Sequence, residues 1–113
     1  MSDQATTSVM PVIAQYISQA LTQELPKEVE EKTKFHFLDT VASMVSGSQM
    51  LAGDRAQAFL RAQGPSAAQA TMIGTRLKGT AINVAMANGM TGHADETDDS
   101  HAESLTHPGC GIV

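Results

Sequence analysis

The sequence predicts an all-α fold with one short extended segment near residues 71–74. Three observations carry that prediction. Apolar residues recur three and four positions apart over several stretches, which is the spacing of one helix face. Pro, Gly, Ser and Thr punctuate those stretches where helices start and stop. Only one brief run, Thr71-Met72-Ile73, reads as β.

Taken in order, residues 1–8 are polar and are expected to form a flexible N-terminus. From Val9 to Leu25 the positions Val9, Ile13, Tyr16, Ile17, Ala20 and Leu21 mark an amphipathic helix, with Ser8 as N-cap and Pro11 in the first turn. Pro26 opens a second helix, whose early Glu28, Glu30 and Glu31 suit the positive end of the helix dipole. Its latter half carries Phe37, Leu38, Val41, Ala42, Met44 and Val45 on most faces and is expected to be buried, with Gly47 as its stop. Asp39, inside that half, is expected to cap or pair within a helical core. Gly53 to Gln63 gives a third helix, closed by Gly64-Pro65. After the short extended run, Arg76 and Lys78 lie in a loop, where a polyanionic ligand would favour them. Thr80 caps a fourth helix, Ala81 to Asn88, which Asn88-Gly89 is expected to end.

At 113 residues the chain makes at most one domain, and 42% hydrophobic with 17% charged residues suits a packed globule. The core is rich in Met, seven in all, against four aromatics. Met adapts to irregular gaps, as in helices that pack against further protein. A net charge of −5 disfavours a nucleic-acid partner, because phosphate binding needs a basic face. A single cysteine, Cys110, excludes an internal disulfide and fits a reducing compartment. With neither a signal peptide nor a membrane span in the sequence, the expected location is the cytoplasm.

Chemistry concentrates between Asn88 and Val113. That stretch holds His93, His101 and His107, three of the four histidines, and five of the twelve acidic residues fall between Asp95 and Glu103. Asp95, Glu96, Asp98 and Asp99 are too close for all to be buried and ionised, so some must face solvent, donors or cations. A helical path would put Glu96 and Ser100 on one face. A turn at Pro108-Gly109 could aim His107 back towards them. Carboxylate, hydroxyl and imidazole would then form a general acid/base set. Three readings of this spacing stay open: a solvated acidic loop, an acid/base site and a metal site. The sequence has no HExxH, no zinc-type Cys/His framework and no calcium-loop pattern.

The same residues resemble the MmgE/PrpD family, which includes 2-methylcitrate dehydratase, cis-aconitate decarboxylase and iminodisuccinate epimerase. The family pattern, roughly A-x-x-N-G-x-x-x-H-x-x-D/E-x-D-D-T-H followed by H-P-G/S, reads here as Ala85-Met86-Ala87-Asn88-Gly89, then His93, Glu96, Asp98-Asp99-Ser100-His101 and His107-Pro108-Gly109. LDTVASMVSGS from Leu38 and TMIGTRLK from Thr71 resemble the family's upstream helix end and short strand. The match runs in order over about residues 10–113.

The resemblance implies the N-terminal part of a longer, cofactor-independent enzyme, with residues 9–113 a partial helical domain cut short at its C-terminal end. It implies a citrate-like di- or tricarboxylate substrate, no metal, no nucleic acid or membrane partner, and a homodimer at full length. Carried residue by residue, His107, Glu96 and Ser100 would be catalytic, while Asp98, Asp99, His101 and His93 would contact or organise the substrate. Glu96 stands where Asp is commoner, adding a methylene of reach. Ser100 replaces Thr, keeping the hydroxyl but losing the methyl that restricts its rotamer. Thr97 replaces an aromatic or aliphatic residue. Dehydration by proton abstraction is the default outcome, with decarboxylation and epimerisation as variants. Two further readings stand beside it: an inactive helical interaction module and a metal-dependent hydrolase.

Overall fold

The computed structural model describes residues 8–113, so the N-terminus expected to be flexible lies, Ser8 apart, outside the described residues. The chain divides into two units, one reaching Glu30 and the other running from Glu31 to Val113.

In the first unit, α1 (Val9–Ala20) begins after Ser8, which occupies the N-cap position without a side-chain cap bond. Pro11 sits in the first turn, where its missing N–H costs nothing. Ile13, Tyr16 and Ile17 form the predicted stripe, but no residue of α1 is buried. The carbonyl of Pro26 accepts the N–H groups of Val29 and Glu30, which starts α2 (Lys27–Gly47) with Glu28 and Glu30 in its first turn.

In the second unit, α2 continues to Gly47 and buries a single stripe, Thr40, Ser43, Met44 and Gly47. This corrects the expectation of burial on most faces, since Phe37, Leu38 and Val45 are exposed. The buried stripe is mixed in polarity, and it tolerates burial because each hydroxyl bonds back along the helix. Thr40 donates to the His36 carbonyl and Ser43 to the Asp39 carbonyl. Asp39 itself is exposed and is not part of a core.

Gly47 stops α2 by proximity. A Cβ there would collide with the carbonyl oxygen of Thr91 and with the Ala94 side chain, so only glycine lets the end of α2 approach the end of α4. The next helix, α3 (Leu51–Ala62), starts two residues before the predicted Gly53. The core then forms from Ala56 and Leu60 of α3, Met72, and Val84 and Ala87 of α4 (Ala81–Gly92), with Phe59, Ala70 and Leu77 against it.

The extended segment is a two-stranded antiparallel sheet, β1 (Ala70–Thr71) with β2 (Lys78–Gly79), Ala70 opposite Gly79. Lys78 is therefore a strand residue, not a loop residue. Thr80 caps α4 as predicted, its hydroxyl accepting the Asn83 N–H at 3.3 Å. Asn88-Gly89 does not end that helix, which continues to Gly92. Asn88 is held in the helix because its Oδ1 accepts the Ile73 N–H at 3.0 Å, tying the sheet's turn to α4. The last element, α5 (Gly109–Ile112), packs on α4. Among the described residues no helix is long and apolar enough to cross a membrane.

Candidate functional site

The segment after α4 is a loop, not a helix, so Glu96 and Ser100 do not share a helical face. His93 ends α4, and the Ala94 N–H returns to the Thr91 carbonyl. Asp95 then closes a tight turn, its Oδ1 accepting the Thr97 hydroxyl at 2.6 Å and the Thr97 N–H at 3.3 Å. Those bonds, the Thr97 hydroxyl first, lower the Asp95 carboxyl from its ordinary value against an opposing desolvation. Its Oδ2 also reaches the Ser46 hydroxyl at 3.4 Å, pinning the turn to the end of α2. Glu96, at the corner, adopts a left-handed backbone (φ 56°) and is exposed.

The turn drives Asp98 inward. Its side chain has no solvent exposure, and two imidazoles face it. His93 Nδ1 lies 3.2 Å from both carboxylate oxygens, within hydrogen-bonding geometry. His107 Nδ1 lies 3.3 Å from Oδ1 but off the hydrogen-bond direction. That nitrogen is buried and has no hydrogen-bond partner. The two rings sit 4.7 Å apart, centre to centre, and are tilted by 53°. A buried carboxylate without a counter-charge is costly, and these imidazoles are the groups placed to supply one.

Asp99 turns the other way. Its Oδ1 accepts the Gly109 N–H at 2.8 Å, which fixes the loop against the start of α5. Between them, His101 and Thr106 form an isolated antiparallel bridge. Ser104 Oγ sits 2.8 Å from His101 Nδ1 and 2.7 Å from the Thr106 hydroxyl. His101 Nε2 also lies 3.2 Å from Glu103, an exposed pair of little energetic weight.

A cleft of about 460 Å³ opens beside these residues. Ser100, His101 and Asp99 form one wall, and Pro108 and Gly109 another. The facing wall is a stripe of α2, namely Thr33, His36, Phe37 and Thr40. Of the predicted residues, Ser100, Asp99 and His101 therefore share the cleft. His93, Asp98 and His107 cluster together and do not line the cleft, although their chain neighbours Asp99 and Pro108 do. Glu96 joins neither group, and Arg76 and Lys78 are not among the lining residues.

His36 and Thr40 were not singled out from the sequence, although Thr33, His36, Phe37 and Thr40 stand at spacings of three, one and three, a legible helix stripe. Cys110 was read only for its redox meaning. Its thiol donates to the His107 carbonyl at 3.3 Å.

The cleft combines the hydroxyls of Thr33, Thr40 and Ser100, the imidazoles of His36 and His101 and the Asp99 carboxylate with apolar walls, a set of groups that can hydrogen-bond a polar ligand. Comparison with known proteins gives the lineage. The family model described as the MmgE/PrpD N-terminal domain matches residues 12–113, and the chain belongs to that family. No curated protein and no solved structure matches the chain.

Proposed function

We propose that this member of the MmgE/PrpD family is the helical part of a cofactor-independent lyase-type enzyme acting on a citrate-like di- or tricarboxylate. The observation that supports it most is that Ser100 and His101 line the cleft together with Asp99 and Pro108, the chain neighbours of Asp98 and His107 in the His93–Asp98–His107 cluster. In this reading a substrate carboxylate lies in the cleft against the Ser100 hydroxyl and the imidazoles of His101 and His36. His107 exchanges the proton beside that carboxylate, an imidazole being suited to proton transfer near neutrality. Asp98, whose carboxylate lies 3.3 Å from His107 Nδ1, offsets the charge that the imidazole gains with the proton. Asp99 positions the Gly109 backbone. Glu96, on the outward corner of the turn, supplies an auxiliary carboxylate.

Dehydration is the favoured outcome: a proton leaves the carbon next to a carboxylate, hydroxide departs as water, and a double bond forms. Decarboxylation or epimerisation would share the early carbanion-like step. The proposed enzyme is cytoplasmic and dimeric at full length. The test is turnover of citrate-family acids by the natively expressed protein, followed by the absorbance of the new double bond. His107→Ala should abolish turnover, and normal turnover in that variant would sink the assignment.

A second reading, an inactive helical interaction module, is favoured by one observation: Tyr16 and Ile17 on α1, and Phe35, Phe37 and Leu38 on α2, all expose large apolar surface. Absence of turnover with every acid tested, together with stoichiometric capture of a protein partner, would select it.

A further inference from the structure

Opposite the stripe that α2 buries, the same helix carries a second stripe that faces solvent. Phe35, Leu38, Ala42 and Val45 follow one another at spacings of three, four and three. At 3.6 residues per turn they lie roughly 170° around the helix from the buried Thr40, Ser43, Met44 and Gly47. All four are exposed, Phe35 to 68%, Leu38 to 65% and Val45 to 47%. We propose that this stripe is a self-association surface, on which the α2 helix of a second copy of the chain packs antiparallel.

The spacing identifies a helix as the occupant. Apolar residues alternating three and four apart form the seam along which two helices interdigitate. The seam has defined ends. The next position towards the N-terminus is Glu31, paired with Lys34 at 2.9 Å, and the next towards the C-terminus is Gln49. Apolar contact is therefore confined to residues 35–45, ~15 Å of helix at 1.5 Å per residue.

Packing sets the direction. In an antiparallel pair Phe35 meets the second copy's Val45 and Leu38 meets its Ala42, so a large side chain faces a smaller one in every layer. Parallel helices would stack each residue on its counterpart and leave the two Ala42 methyls facing across a gap. The copies are related by a two-fold axis at the level of Thr40, so each contact occurs twice and the interface closes.

Charge complements the packing. On one flank of the seam Lys32 stands two heptads before Ser46, whose hydroxyl lies 3.4 Å from Asp95. Antiparallel packing lays equivalent flanks side by side, so Lys32 of each copy faces the acidic Asp95–Glu96 turn of the other. Asp39, midway along that flank, meets its own counterpart near the axis, a repulsion that the two lysine contacts offset.

This surface locates the dimer of the proposed enzyme, but it is read from mass and not from turnover, so failure of the lyase reading leaves it standing. The test is sedimentation equilibrium of the purified chain over a wide range of concentration. The interface is small, so the mass should rise with concentration from 11.9 kDa to about twice that value. Leu38→Glu changes an exposed position and should keep the helix content while weakening association at least ~100-fold. Lys32→Glu should weaken it about 3-fold or more and Asp39→Asn should tighten it; these charge variants keep the test valid if Leu38→Glu fails to fold. A chain that stays monomeric throughout would overturn the proposal, as would a dimer that Leu38→Glu leaves intact. Weaker association in Asp39→Asn would overturn the antiparallel arrangement, since parallel helices place Asp39 beside the second copy's Lys34.

Discussion

Asp99 accepts the backbone N–H of Gly109 at 2.8 Å, and this one bond closes a ten-residue excursion of the chain onto the cleft. A Cβ on Gly109 would collide with that carboxylate and meet the Thr40 hydroxyl of α2. Loop, α2 and α5 thus converge where no side chain fits. Hydrogen bonds to charged groups contribute about 1.5–3 kcal/mol, so Asp99→Ala should cost about 2 kcal/mol of stability. Amide exchange checks the cause: the Gly109 N–H should lose protection in Asp99→Ala and keep most of it in Asp99→Asn. Unchanged protection in the alanine variant would show that the bond is not what holds the loop.

Gly47→Ala should be more damaging than its small size suggests. The added methyl would occupy space held by the Thr91 carbonyl and the Ala94 side chain, neither of which can move without shifting the end of α4. Overpacking of this kind costs typically 1–3 kcal/mol, and backbone as the obstructing group places this case at about 2 kcal/mol or above. Urea denaturation provides the number. A midpoint equal to that of the parent chain would show that the two helix ends separate freely.

Much of this architecture is legible in the sequence, and the departures from it have identifiable physical causes. The Thr80 cap, the Pro26 start and the Gly47 stop are local events, decided within a few residues, and each was readable. The end of α4 was not, because the Asn88 side chain bonds to Ile73, fifteen residues away, and that contact outweighs the turn preference of Asn-Gly. Burial of α2 was overstated since composition gives apolarity but not which stripe meets a partner. Within the acidic stretch the candidate residues are legible from their types, while their path is not. Spacing allows a helical path, but the Asp95–Thr97 bonds impose a turn that separates Glu96 from Ser100 and sends Asp98 inward.

The Asn88 contact leads to its own prediction. Asn88→Ala leaves the Ile73 N–H without its acceptor, an omission worth about 1–2 kcal/mol in a partly buried setting. Asn88→Asp retains Oδ1 and should recover a substantial part of the loss. Thermal midpoints of the three proteins test it; an aspartate variant as unstable as the alanine one would remove Oδ1 from the explanation.

Acid should loosen the Asp95 turn. The Asp95 carboxyl is held below its ordinary value of 3.8, so the folded state binds that proton less tightly than the unfolded chain does. Its contribution is complete above pH 3.8 and is lost as pH falls through the lower, folded value. Thr97→Ala removes the largest cause and should move the carboxyl back towards 3.8. Carbon-detected NMR titration of the Asp95 side chain reads this directly. An identical midpoint with and without the Thr97 hydroxyl would assign the lowering to something else.

Ser100 and Glu96 separate the proposed chemistry most sharply, because one lines the cleft and the other occupies an exposed corner. If the lyase reading holds, Ser100→Ala deletes a hydrogen bond to substrate and should lower kcat/KM by about 10-fold, the equivalent of roughly 1.4 kcal/mol. Ser100→Thr keeps the hydroxyl and should stay near the parent rate. Glu96→Gln preserves shape while removing the charge, and an auxiliary group on the outward turn should cost no more than about 3-fold, roughly 0.65 kcal/mol. A collapse of turnover in Glu96→Gln beside a mild effect in Ser100→Ala would reverse the assignment. The turn would then have to swing Glu96 inward during the reaction, against the bonds that Asp95 makes to Thr97 and Ser46.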